Sequence, residues 1–221
     1  MAFFDIPPLS GKVRAMRRVF STIYATRAWG NGESASGQGS SRERAASFLP
    51  DLIALIEPLQ VSTLLDAPCG DFHWTAPLAE ACERYIGIDV VPELIRANQQ
   101  RWSSSRRRFV CLDMVHQRLP AADLVFCRDG LVHLCAADIG LALQNFRRCG
   151  AKFLIATTFV GDRDNADIVN GDWRPLNMQR PPFCFPPALA LVDERCHHTG
   201  GIYADKRFGL WRIADLPALT A

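Results

Sequence analysis

Apolar positions recur along this chain in two rhythms. Between residues 60 and 160, short unbroken apolar runs alternate with stretches whose apolar side chains return every three or four positions. The runs at 63–66, 84–89, 109–114, 122–127 and 153–157 read as strands buried on both faces. The stretches between them read as helices: one from Trp74 onward with Leu78 and Ala81 on a side, one from Pro92 to Trp102, and one at 139–146. Two further helices precede the first strand. Val13, Met16, Phe20, Ile23 and Tyr24 form an apolar face opposite Arg14, Arg17 and Arg18, and could cover the site or pair with another subunit. A Ser40 or Ser41 cap opens the second, whose face of Ala46, Phe48, Leu49, Leu52, Ile53 and Ile56 would pack on the sheet.

After residue 160 the alternation stops. Residues 160–187 are polar and proline-rich, and a loop of this length in a compact domain is usually functional. The runs at 188–192 and 209–213, joined through Thr199, Gly200 and Gly201, then read as an antiparallel pair that finishes the sheet. The pattern predicts an α/β domain: a doubly wound, mostly parallel sheet of about seven strands with an antiparallel C-terminal strand, plus N-terminal helices. One domain over residues 1–221 is expected, with helices and a covering loop at 1–58, a core at 59–160, a substrate loop at 161–187 and the final strands at 188–221.

In such a sheet the ligand sits beyond the carboxyl ends of the strands, so the turn after the first strand, Asp66-Ala67-Pro68-Cys69-Gly70-Asp71, is the first place to look for chemistry. A dinucleotide pyrophosphate wants several glycines and bare amides. Here only Gly70 is present, Pro68 removes an amide, and Asp71 repels phosphate while favouring a cation. Asp89 ends the second strand about 20 residues further on, where an acid hydrogen-bonds ribose hydroxyls. The ligand therefore has a ribose without a pyrophosphate, and S-adenosylmethionine fits.

At these residues the sequence resembles the class I S-adenosylmethionine-dependent methyltransferases, within a subgroup carrying a Pro-Cys-Gly-Asp-Phe loop at 68–72, Cys-Arg-Asp-x-Leu-Val-His at 127–133 and Gly-Asp-Trp-Arg-Pro-Leu-Asn at 171–177. The resemblance implies a Rossmann-like fold and S-adenosyl-L-methionine as cofactor. It also implies a cofactor set: Trp29, Ser36, Gly37 and Ser40 from a glycine- and serine-rich stretch that would close over the ligand, then Asp66, Ala67, Gly70, Asp71 and Trp74, the ribose acid Asp89, Asp113 and Met114 on the adenine, and Cys127 with Arg128. That stretch also reads as a flexible linker, and Asp113 as a turn or cap residue.

Methyl transfer from a sulfonium needs alignment and, for a hydroxyl acceptor, a base. His133, just past the fourth strand, is the candidate base, with Asp129 four residues earlier as its orienting partner; the alternative is a structural histidine. Asp172, Trp173, Arg174 and Asn177 mix an aromatic face, a donor fork and hydrogen-bonding groups suited to a sugar or other polyhydroxylated small molecule; the alternative is a loop anchored by Trp173. O-methylation of such a molecule is the expected activity. N- or S-methylation of a metabolite, or cofactor binding without turnover, are the other readings.

Composition bounds the rest. A hydrophobic fraction of 48% over 221 residues supplies a full core, and a net charge of +2 is too balanced to argue for nucleic acid. The motif Pro181-Pro182-Phe183 follows Arg180 and the fifth strand, unlike the Asp- or Asn-led motif of amine-methylating nucleic-acid enzymes at the fourth. No apolar run nears the roughly 18 residues of a membrane span, so a cytoplasmic protein is expected, with the first helix as a surface on which a homodimer could form. The eight cysteines have no Cys-x-x-Cys pair and read as reduced, buried thiols. Metal is not expected: Cys196-His197-His198 has no second half-site, and Asp162, Asp164, Asn165 and Asp167 lack calcium-loop spacing.

Overall fold

The protein is described by a computed structural model covering residues 9–30, 32–196 and 200–218. Seven strands form one sheet: β1 (Thr63–Asp66), β2 (Arg84–Asp89), β3 (Arg107–Cys111), β4 (Leu124–Cys127), β5 (Phe153–Phe159), β6 (Ala190–Asp193) and β7 (Lys206–Arg212). They lie in the order β3-β2-β1-β4-β5-β7-β6. β1 to β5 pair in parallel, and β7 runs antiparallel to both β5 and β6. The expected doubly wound sheet of seven strands is therefore present. β1 and β4 are buried at every position, which explains why their apolar runs are unbroken.

Among the described residues, five α-helices accompany the sheet: α1 (Gly11–Ala25), α2 (Arg42–Ile56), α3 (Ala76–Glu80), α4 (Pro92–Trp102) and α5 (Ala136–Arg148). Ser10 and Ser41 cap α1 and α2 by accepting from Val13 and Arg44 backbone N–H groups. α2, α3 and α4 bury Phe48, Leu52, Leu78 and Leu94 against one side of the sheet. α5 buries Ile139, Leu143 and Phe146 against the other.

Among the differences from the sequence pattern, three bear on the site. β3 stops at Cys111, so Asp113 and Met114 belong to the turn beyond the strand. α3 starts at Ala76, with a proline in its first turn, rather than at Trp74. The 160–187 segment is also something other than an open substrate loop: Leu176, Met178, Phe183 and Phe185 are buried in the same cluster as α5 and cover that face of the sheet.

The strand order reverses between β1 and β4, each with an opposite-going connection, and this leaves a crevice at their carboxyl ends. Everything of chemical interest converges there.

Candidate functional site

A cleft of about 1100 Å³, partly open to solvent, lies over the ends of β1, β2 and β4. Its floor is the turn after β1. Gly70 has φ +52, and a Cβ there would collide with the Ser36 hydroxyl, so a side chain at this position would push the covering loop away. Asn98 of α4 donates to the Gly70 carbonyl at 2.7 Å and fixes the turn from behind.

The glycine- and serine-rich stretch is pinned, not a free linker. One Asp71 oxygen accepts from the Ser34 hydroxyl at 2.9 Å and the Ala35 N–H at 2.8 Å. Arg128 donates to the Gly39 carbonyl at 2.8 Å and the Ser40 hydroxyl at 3.2 Å, and lies over the rings of Phe48 and Trp74. Asp71 and Arg128 thus hold the loop from two sides.

Three expected cofactor residues, Gly37, Ala67 and Cys127, do not line the cleft, whereas Trp29, Ser36, Ser40, Asp66, Gly70, Asp71, Trp74, Asp89, Asp113, Met114 and Arg128 do. Gly37 (φ +96) shapes the loop against Trp29, and Cys127 sits behind Gly130 and Pro68. Asp113 lines the cleft, and its carboxylate holds its own turn: it accepts from the Val115 N–H at 2.8 Å and meets the His116 ring at 2.8 Å. Val90 and Leu112, beside the two acids, are apolar wall residues that the sequence pattern did not single out.

Electrostatically, this end favours a cation. Burial raises the Asp66 carboxyl to about 8, against the Tyr85 hydroxyl that donates to it at 2.5 Å. Asp89 is raised to about 6 by burial, opposed by backbone N–H groups of Val91, Gly70 and Val90. No basic side chain bonds either carboxylate among the described hydrogen bonds, and a positively charged ligand would relieve both.

His133 lines the other end. Its Nδ1 lies 2.8 Å from the carbonyl oxygen of Asp172; a carbonyl only accepts, so Nδ1 carries the proton and Nε2 keeps a lone pair. Burial lowers the pKa of the imidazole despite that bond, which keeps the ring neutral near pH 7. The expected partnership with Asp129 is not formed, because Asp129 is held elsewhere: Lys206 Nζ at 2.7 Å and the Thr157 hydroxyl engage its carboxylate. Asp129 has φ +52, a strained value for a residue with a side chain. Lys206 also contacts Glu194 at 2.7 Å, and Glu194 accepts from Arg128 Nε at 2.5 Å. This four-membered ion cluster ties β4, β6 and β7 to the covering loop, and no local pattern in the sequence marked it.

The expected acceptor residues lie off the cleft wall. Arg174 is buried and spends its guanidinium on the carbonyls of Leu131, Leu134 and Ala166. Asn177, also buried, bonds the Gly161 carbonyl and the Gln179 N–H. Trp173 is 40% exposed and meets Phe159 and Tyr203 edge-on. The segment is an anchor that holds His133 through the Asp172 carbonyl, so Arg174 and Asn177 are corrected from binding to structural roles.

Among the described residues no group of three His, Cys, Asp or Glu could hold a metal, and no helix is long and apolar enough to cross a membrane. His197 and His198 lie outside the described residues.

Comparison with known proteins bears on this arrangement directly. Residues 64–152 match the methyltransferase domain family. An uncharacterized methyltransferase of Schizosaccharomyces pombe is 37% identical over 62 residues, a match covering 26% of this chain and only 24% of that relative. The 1,6-didemethyltoxoflavin-N1-methyltransferase of Burkholderia thailandensis, solved with its substrate and S-adenosylhomocysteine, superposes with a TM-score of 0.60 at 18% identity, over 96% of this chain and 93% of that one. The cyclase SpnF superposes with a TM-score of 0.55 at 19% identity, over 92% and 95% of the two chains. The fold is thus that of S-adenosylmethionine-dependent methyltransferases, and a cyclase shares it, so the reaction has to be argued from the site.

Proposed function

We propose that the protein is an S-adenosylmethionine-dependent methyltransferase that transfers methyl to an oxygen of a small molecule. The observation that carries the reading is the pairing, in one cleft, of an acid-lined end suited to a cationic nucleoside with a neutral imidazole whose Nε2 is unprotonated. Asp89 would take the ribose hydroxyls, Met114, Val90 and Leu112 would flank the adenine, and Asp113 would accept from its amine. The family match and the methyltransferase of similar fold support the cofactor assignment.

Held by these residues, S-adenosylmethionine would supply an electrophilic methyl group to the acceptor oxygen, its sulfur keeping the electron pair of the carbon–sulfur bond. His133 Nε2 takes the proton from the acceptor hydroxyl. The Asp172 carbonyl holds the ring in the tautomer that permits this. The ionised Asp129 carboxylate, fixed by Lys206, favours the imidazolium that results. A sugar acceptor loses support, because Arg174 and Asn177, two of the groups expected to bind its hydroxyls, are occupied by the chain's own backbone.

Replacing His133 tests the reading. His133→Ala should lower kcat by about 10²–10⁴ with cofactor affinity unchanged. The wild-type rate should rise with pH through an ionisation below the usual histidine value and then level off, since the neutral ring is the active form. Wild-type turnover in the variant at neutral pH would remove the base. Labelled cofactor that binds tightly yet transfers nothing to any fraction of a cell extract would make the protein a binding module.

A further inference from the structure

Resting on the methyltransferase reading, we infer that the acceptor is a flat aromatic molecule bearing a single reactive hydroxyl, held against Phe20, Trp29 and His133. Trp29 stacks on the imidazole with ring centroids 4.0 Å apart and planes 24° from parallel, and Phe20 meets Trp29 edge-on at 6.0 Å. All three line the cleft, so the base stands in a continuous aromatic wall. Met16, Phe20, Ile23 and Tyr24 project from one face of α1 into the same cleft. α1 packs on the segment that holds the base: a Cβ on Gly171 would meet Val19 Cγ1 and Ile23 Cδ1, and the Gly171 N–H donates to the His133 backbone carbonyl at 2.9 Å.

Polar groups are scarce at this end. Around the base the side chains offer His133 Nε2, the Trp29 indole N–H, the Tyr24 hydroxyl and Asp129, the last already engaged by Lys206 and Thr157. A sugar brings several hydroxyls, each of which loses water on entry and needs a partner, and most would stay unpaired here. An aromatic ring needs none. It gains a stacking face from the Trp29–His133 pair, apolar contact from α1, and one hydrogen-bond acceptor at the point where its hydroxyl must lose a proton.

The experiment incubates the full chain with methyl-tritiated S-adenosylmethionine and an extract of the cells that make it, then separates acid-precipitable, water-soluble and organic-extractable label. The expected label is organic-extractable and co-elutes with ultraviolet-absorbing material, and 2-naphthol competes with the labelling while methyl glucoside does not. Trp29 was expected among the cofactor residues, but its stack on His133 puts it beside the base, so Trp29→Ala should raise the Ki of 2-naphthol by roughly threefold to tenfold with the cofactor Kd unchanged, and Trp29→Phe should return the Ki most of the way to wild type. Label in a sugar fraction or a macromolecule, competition by methyl glucoside or by neither probe, or a Trp29→Ala effect on the cofactor Kd instead, would each overturn the inference and leave methyl transfer standing. No label in any fraction, with cofactor still bound, would overturn methyl transfer and this inference together.

Discussion

The two ends of the ion-rich region treat the same side chain in opposite ways. Asp66 and Asp89, after β1 and β2, are raised to about 8 and about 6 because burial acts on them without a neighbouring cation strong enough to offset it. Asp129, after β4, feels burial as well, yet Lys206 and Arg128 outweigh it and bring the carboxyl down to about 2. The difference is pairing. Carboxylates left without a protein cation keep their attraction for one that arrives from outside, whereas those locked to Lys206 and Arg128 are committed to shaping the wall. The contrast separates a binding surface from its scaffold within one cleft.

Removing the cation from the paired region should have the largest effect on stability. Lys206 is 8% exposed and bonds both Asp129 and Glu194, so Lys206→Met leaves two enclosed negative charges beside a single Arg128. The expected loss is about 3–5 kcal/mol of unfolding free energy, measured from denaturant midpoints. A loss below about 1 kcal/mol would mean that water reaches the cluster and that the two regions are alike.

On the unpaired side, a smaller effect is expected and it should fall on ligand affinity. Asp89→Ala should weaken S-adenosylmethionine by about 1.5–3 kcal/mol in calorimetry, the range for hydrogen bonds to a charged group. In the wild type, affinity should fall as pH drops through about 6, because the protonated carboxyl is a poorer acceptor. An unchanged Kd in the variant would detach Asp89 from the ligand.

The sequence announces the unpaired end far better than the paired one. Asp66 and Asp89 end the apolar runs of β1 and β2, with Asp71 in the turn after the first, and burial at every position makes β1 readable from composition alone. Asp129 lies in the 127–133 motif but Lys206 is 77 positions away and in none, so their pairing follows only from β7 lying next to β5. The 160–187 segment misleads for a related reason. Its prolines and polar residues read as an open loop, while four apolar anchors, Leu176, Met178, Phe183 and Phe185, decide its path. Arg174 looks like a binding residue because a guanidinium suits ligands, but the three carbonyls that saturate it come from residues 131, 134 and 166 and are invisible locally. Side chains whose role is set by strand ends were legible; those set by the packing of distant loops were not.

The effect expected at Asp66 is spread along the pH axis rather than read at one pH, and it sharpens the contrast there. Its unfolded carboxyl ionises near 3.8 while the folded one holds its proton to about 8. Between those values the folded state binds one proton more than the unfolded state, so this group makes stability fall as pH rises, by at most about 1.4 kcal/mol per pH unit. Asp129 has the opposite sign: its folded value of about 2 lies below the unfolded one, so its contribution is present above pH 4 and is lost as pH falls towards 2. Asp66→Asn keeps the shape and a hydrogen-bonding group for Tyr85 but cannot ionise. The variant should therefore match the wild type near pH 5 and lose less stability than it does by pH 8, with urea midpoints as the measurement. Parallel curves for the two proteins from pH 5 to 8 would show that Asp66 is already ionised in the fold, and that a cation yet to be identified neutralises the binding end as Lys206 neutralises the other.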